Sequence, residues 1–159
     1  METVETNPGS AKPPLSLVKR RQYSTFFVAG RLYGIDVMRV QEITPPLSMT
    51  VVPLAPSYIK GLINLRGQIA TAVGLRELFG LGDSDATKYM NVVCNLGGNL
   101  FSLLIDQVGD VMELEDGVFE STPETIAESV KLYMAGIYKI QGALLSILDI
   151  EKIAEKLNK

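Results

Sequence analysis

A chain of 159 residues suits one domain with a sizeable core, or two small ones packed together. It has no histidine, no tryptophan, one cysteine (Cys94) and a net charge of −3. That excludes a Ser-His-Asp triad, a Cys-His dyad, a His-ligated metal, a zinc cluster and an internal disulfide, and offers no basic excess for nucleic acid.

Residues 1–20 read as a disordered tail, with Pro8, Pro13 and Pro14 among small polar residues. No signal-peptide core and no apolar run of ~18–20 residues is found, so no membrane insertion is expected. Tyr23 to Ala29 is rich in aromatic and β-branched residues and predicts a strand. Gly30-Arg31 predicts a turn, and Leu32 to Val37 the returning strand. Val40 to Ile43 follows, ended by Pro45-Pro46. Thr50 to Val52 is a short strand candidate, and Pro56 opens an expected helical turn over Ser57 to Lys60.

Leu62 to Leu65 and Gln68 to Val73 predict a hairpin around Arg66-Gly67. Arg76 to Phe79 predicts a short helix stopped by Gly80. The polar loop 82–88 is the expected division between two subdomains. Val92 to Leu96 and Leu100 to Ile105 flank a Gly97-Gly98 turn, and Val108 to Leu114 continues as strand. Asp116 to Val130 reads as loop with a helical turn near Pro123. Leu132 to Ile140 and Ala143 to Leu148 predict a last hairpin around Gln141-Gly142. Asp149 is a good N-cap, and Ile150, Ile153, Ala154 and Leu157 then fall at i, i+3, i+4 and i+7 of an amphipathic helix. Many short strands with glycine-marked turns indicate a mainly β protein of barrels or a sandwich.

Charge is unevenly placed. Residues 1–82 carry net +4 and residues 83–159 net −7, with no Lys or Arg between Lys88 and Lys131. A solvated acidic face is the plain reading, and a molecule whose two halves meet different partners is the sharper one. Gly97-Gly98 lacks the lysine and helix of a phosphate loop. Cys94 sits in an apolar strand, as a buried thiol does. Asp106 and Asp110 have no partner in the sequence that would set them across a catalytic cleft. The segment Lys60 to Gly67 is different, because Asn64 and Arg66 stand among glycines and apolar residues. They stabilise a turn or recognise a partner.

Several motifs resemble the CheW family of chemosensory adaptors. They are Tyr33-Gly34-Ile35-Asp36, Val40-Gln41-Glu42-Ile43, Pro56-Ser57-Tyr58-Ile59-Lys60-Gly61, Ile63-Asn64-Leu65-Arg66-Gly67, Leu75-Arg76, Leu104-Ile105-Asp106-Gln107-Val108, Gly136, and Leu145 to Ile150. The resemblance runs from Gln22 to Leu157. It implies two five-stranded SH3-like β-barrels packed side by side on a shared core, with short helices including a C-terminal one, as interleaved subdomains of a single domain over residues 21–159. It also implies a non-catalytic cytoplasmic scaffold without cofactor or metal. Such a scaffold couples the cytoplasmic tip of a chemoreceptor (a methyl-accepting chemotaxis protein) to the regulatory domain of the CheA histidine kinase. It works at the inner face of the membrane through receptor arrays, in rings formed with the kinase.

By position, the resemblance implies receptor binding at Asn64, Arg66, Val108 and Val111, and kinase binding at Val40, Glu42, Ile43 and Gly61. Three positions depart from the family pattern. Thr71 stands for a proline, Gly74 for an acid, and Ser102 where glycine is common. The missing acid at Gly74 is expected to remove a local salt bridge. The departures suggest a specialised adaptor that competes with or inhibits a main CheW in a parallel pathway, such as surface motility or development.

Overall fold

β1 (Arg20–Val28) shows no in–out alternation, and Tyr23, Ser24, Thr25 and Phe26 are all buried. Both faces of this strand are therefore covered, which explains its unbroken aromatic and β-branched run. This is a computed structural model, and it describes residues 19–116 and 119–158. The expected tail lies outside those residues up to position 18, and Arg20 already belongs to β1.

The remaining strands are β2 (Arg31–Asp36), β3 (Val40–Thr44), β4 (Ile59–Leu65), β5 (Gln68–Gly74), β6 (Met90–Leu96), β7 (Asn99–Ile105), β8 (Gln107–Glu115), β9 (Met134–Ile140) and β10 (Ala143–Leu148). Three short helices join them: α1 (Leu75–Phe79), α2 (Glu128–Lys131) and α3 (Ile150–Leu157). The first sheet has the order β8-β1-β2-β10-β9 and the second the order β3-β6-β7-β5-β4. Two five-stranded sheets are thus present as expected, with open rather than closed strand orders. β10 pairs in parallel with β2, and β5 with β7; the other pairs are antiparallel.

The sheets share one core. Phe26, Val28, Tyr33 and Ile35 face Val73, Val92, Cys94, Phe101 and Leu103, with Leu75 and Phe79 of α1 and Ile150 and Ile153 of α3 beside them. Each sheet also curls round a cluster of its own. Tyr23, Tyr138, Leu145 and Ile147 fill the first, and Ile63, Ala72, Tyr89 and Leu104 the second. Eight residues make too short a helix to stand alone. α3 persists because Ile150 and Ile153 are buried and because the Asp149 side chain accepts from the Glu151 and Lys152 N–H groups, as the capping pattern predicts.

The topology corrects the expected division near 82–88. That loop joins α1 to β6, within the second sheet. The chain changes sheets at the 3-10 turn Val37–Arg39 and again at Asp106. The second sheet is inserted between β2 and β8 of the first. Hence the basic and acidic parts of the sequence do not map onto separate sheets, and Arg20 and Arg21 pair in register with Glu115 and Leu114.

Two local expectations also change. Thr50 makes only an isolated bridge to Leu62. The helical turn over Ser57 to Lys60 is a single turn, in which the Ile59 N–H donates to the Pro56 carbonyl at 3.0 Å, and β4 begins at Ile59. The turn expected near Pro123 is present, the Ile126 N–H donating to the Pro123 carbonyl at 3.2 Å, and α2 follows it.

Candidate functional site

The β4–β5 hairpin turns through Arg66 and Gly67, both with positive φ (52° and 86°). A tight two-residue turn of this hand suits strand twist and favours glycine at its second position. Asn64 completes it, its Oδ1 accepting the Gly67 N–H at 3.0 Å. The turn-stabilising reading of Asn64 is therefore realised. Arg66 instead projects outward, its side chain 74% exposed.

Its guanidinium makes a two-pronged pair with Glu42 of β3. One N–H donates to Oε1 at 3.0 Å, and a second, shorter bond reaches Oε2. These bonds raise the Arg66 pKa above its ordinary value. β3 and β4 are the two edges of the second sheet, so this pair closes the end of a curled sheet. It also unites one residue from each expected surface, Arg66 from the receptor set and Glu42 from the kinase set.

β-Bulges shape the apolar positions. Val40 pairs with Cys94 and Ile43 with Val92, and the register shifts between Val40 and Glu42. Residues three apart fall on opposite faces of a regular strand, but a bulge returns them to one face. Val40 and Ile43 therefore share the face of buried Val92 and Cys94. Val40 is half-buried against the shared core, while Ile43 is 37% exposed.

β8 repeats the device on the other sheet. Val108 pairs with Phe26 and Val111 with Ser24, across a shift opposite Thr25. Gly109 fits there because a Cβ would lie 2.6 Å from the Thr25 hydroxyl. Val108 and Val111 thus lie on the Phe26 side of the first sheet but stay exposed on its edge strand. Gly61 is buried, not a surface contact. A Cβ on it would lie 2.8 Å from the Thr50 carbonyl oxygen, so it lets the 49–50 segment bridge to β4.

Two further ion pairs involve motif residues. Arg76 of α1 grips Asp106 with its Nε and a terminal nitrogen, at 3.0 and 2.7 Å. Asp106 also accepts the Ala29 N–H at 2.7 Å. This joins α1 to the β1–β2 turn, and the Arg76 bonds hold the Asp106 carboxyl below its ordinary value.

Lys60 pairs with Glu77 at 2.9 Å, and Glu77 also accepts from the Ser84 N–H and hydroxyl. A Cβ at Gly74 would sit 2.1 Å from a Glu77 carboxylate oxygen. The absence of an acid at Gly74 therefore removes no salt bridge, since Glu77 fills that space and pairs with Lys60. Ser102 is buried and donates to Asn91 Oδ1 at 2.8 Å.

Sequence reasoning missed Ile69, which is 58% exposed and pairs with Asn64 beside the Arg66 turn. Strand alternation, with Ala70 buried, was the signal that would have found it. It also missed exposed Met38, Val51 and Leu54. Among the described residues no cluster of three Cys, Asp or Glu side chains is placed to hold a metal, and no helix is long and apolar enough to cross a membrane.

Two interleaved five-stranded sheets, sharing a core and presenting exposed apolar and ion-paired edges, define a mainly β domain of SH3-like type. The CheW-like domain model matches residues 22–158, and the chain belongs to this family. It is similar to the chemotaxis protein CheW of Klebsiella aerogenes, at 31% identity over 84% of this chain and 81% of that protein. It is likewise similar to the chemotaxis protein CheW of Helicobacter pylori, at 30% identity over 85% and 82%. The crystal structure of the scaffolding protein TtCheW from Thermoanaerobacter tengcongensis matches with a TM-score of 0.73 and 26% identity, covering 87% of this chain and 90% of that one.

Proposed function

We propose that this chain is a non-catalytic adaptor that couples chemoreceptor tips to a CheA-type histidine kinase in two-component signalling. It works in the cytoplasm at the inner face of the membrane, through receptor arrays. The observation that supports this reading is the Arg66–Glu42 pair, which ties a residue of the expected receptor surface to one of the expected kinase surface. Val108, Val111 and Arg66 form the receptor surface, with Asn64 shaping the Arg66 turn. An apolar helix stripe packs on the valines and a carboxylate or carbonyl meets the guanidinium. Ile43 and Glu42 meet the kinase regulatory domain, while Val40 and Gly61 support that surface from beneath. Alternation with the kinase domain builds rings. The compensated Gly74 gives no support to a separate competitor role.

The test is co-sedimentation of the purified chain with a receptor-tip fragment and kinase, together with kinase activity. The expected result is a ternary complex with elevated kinase output. A chain that binds neither partner overturns the reading. A chain that binds both and lowers kinase output would favour the competitor instead.

A further inference from the structure

Tyr33 is 1% exposed, and its ring lies between Phe26 and Phe79, with centroid separations of 6.3 and 5.4 Å. Its hydroxyl finds no hydrogen-bond partner among the described residues. A buried phenol hydroxyl without a partner is costly, and native folds seldom tolerate one.

The residue borders a cavity of about 60 Å³ between β2, the chain just after α1, and the segment 125–130. Leu81, Ile126 and Val130 make much of its wall apolar, and Thr125 and Arg31 are the other polar residues on it. A water needs a share of about 30 Å³ and two or more polar partners. The space therefore admits water. No carboxylate lines it, which argues against a cation.

We propose that the Tyr33 hydroxyl holds an ordered water in this cavity, and that this water fastens the 125–130 segment onto the junction of the two sheets. The location gives the bond leverage. The segment follows β8, packs α2 on α1, and is otherwise tied there by the Ser129 hydroxyl donating to the Phe79 carbonyl at 2.7 Å. This proposal does not depend on which partners the chain binds.

The experiment is a high-resolution crystal structure, with melting curves and amide exchange for Tyr33→Phe, Val130→Ile and the double variant. The expected structure has a water about 2.8 Å from the Tyr33 oxygen. Tyr33→Phe keeps the ring, lowers Tm by about 2–6 °C and speeds exchange across 125–131. Val130→Ile narrows the cavity, so it lowers Tm in the parent chain and not when Tyr33→Phe is already present. An empty cavity, a Tyr33→Phe variant as stable as the parent, or equal effects of Val130→Ile in both backgrounds overturns the proposal.

Discussion

Arg66 and Glu42 stand on opposite edges of one sheet, yet two hydrogen bonds join them. The hairpin turn throws Arg66 outward while the curl of the sheet brings Glu42 beneath it. The pair uses one N–H on each terminal nitrogen, so the Nε–H side of the guanidinium stays open to a partner carboxylate.

Replacing Arg66 with alanine is expected to leave the fold intact and Tm almost unchanged, because the side chain is largely solvent-exposed. Affinity for a receptor-tip fragment should fall about tenfold or more. Arg66→Lys should recover little of it, since an ammonium cannot make the two-pronged contact. Calorimetric titration beside a melting curve checks both points, and unchanged affinity would remove Arg66 from the receptor surface.

Val40 and Ile43 share a face but not an environment. Val40→Asp places a carboxylate against the shared core and should cost about 1–3 kcal/mol of stability. Ile43→Asp, on a residue 37% exposed, should cost less and mainly weaken kinase binding. Urea melts rank the two costs, and kinase pull-down with folded Ile43→Asp isolates the surface effect. Kinase binding unaltered in that variant would place the interface elsewhere.

Much of the fold was legible because its signals are local. Gly97-Gly98, Arg66-Gly67 and Gln141-Gly142 mark hairpins through positive φ, and Asp149 caps a helix whose apolar spacing is helical. The interleaving was legible only through the family resemblance, since no local feature says that β8 returns to β1 and not to β7. Both bulges were also hidden. Gln41 and the Gly109-Asp110 pair look like ordinary strand residues until the partner strand shows one position too few. Gly61 was misplaced as a surface residue because its role is close approach to Thr50, a contact across the chain. Over Ser57 to Lys60 only the extent was misjudged, because Pro56 opens the expected turn but β4 already begins at Ile59.

Gly74 offers a test of compensation. Gly74→Asp puts a Cβ into the space of the Glu77 carboxylate and should cost about 2–3 kcal/mol. Adding Glu77→Ala should recover part of that loss, because the new carboxylate can then pair with Lys60. A double-mutant cycle in urea reads the coupling. Strictly additive costs would mean that the two side chains do not compete for one site.

Cys94 is buried, and burial pushes its thiol up to about 12. The protonated thiol is a poor nucleophile. A thiol reagent at pH 8 should leave the native protein unlabelled and react fully after denaturation. Rapid native labelling would show that the shared core opens easily.

Acid should loosen the junction between the sheets. Arg76 holds Asp106 below its ordinary carboxyl value. For Glu77, burial pushes upward, but hydrogen bonds from Ser84 and Lys60 outweigh it, so the net shift is downward. A carboxyl lowered in the fold adds stability that is complete above its unfolded pKa, near 4 for both residue types, and fades as pH falls through the folded value. Stability should therefore be steady from pH 7 to about 5 and decline below about 4. Asp106→Asn lacks one of these groups, so it should be less stable at pH 7 and show a shallower decline in acid. Urea melts at several pH values give both slopes. Parallel slopes for parent and variant would show that Asp106 is not the group through which acid acts.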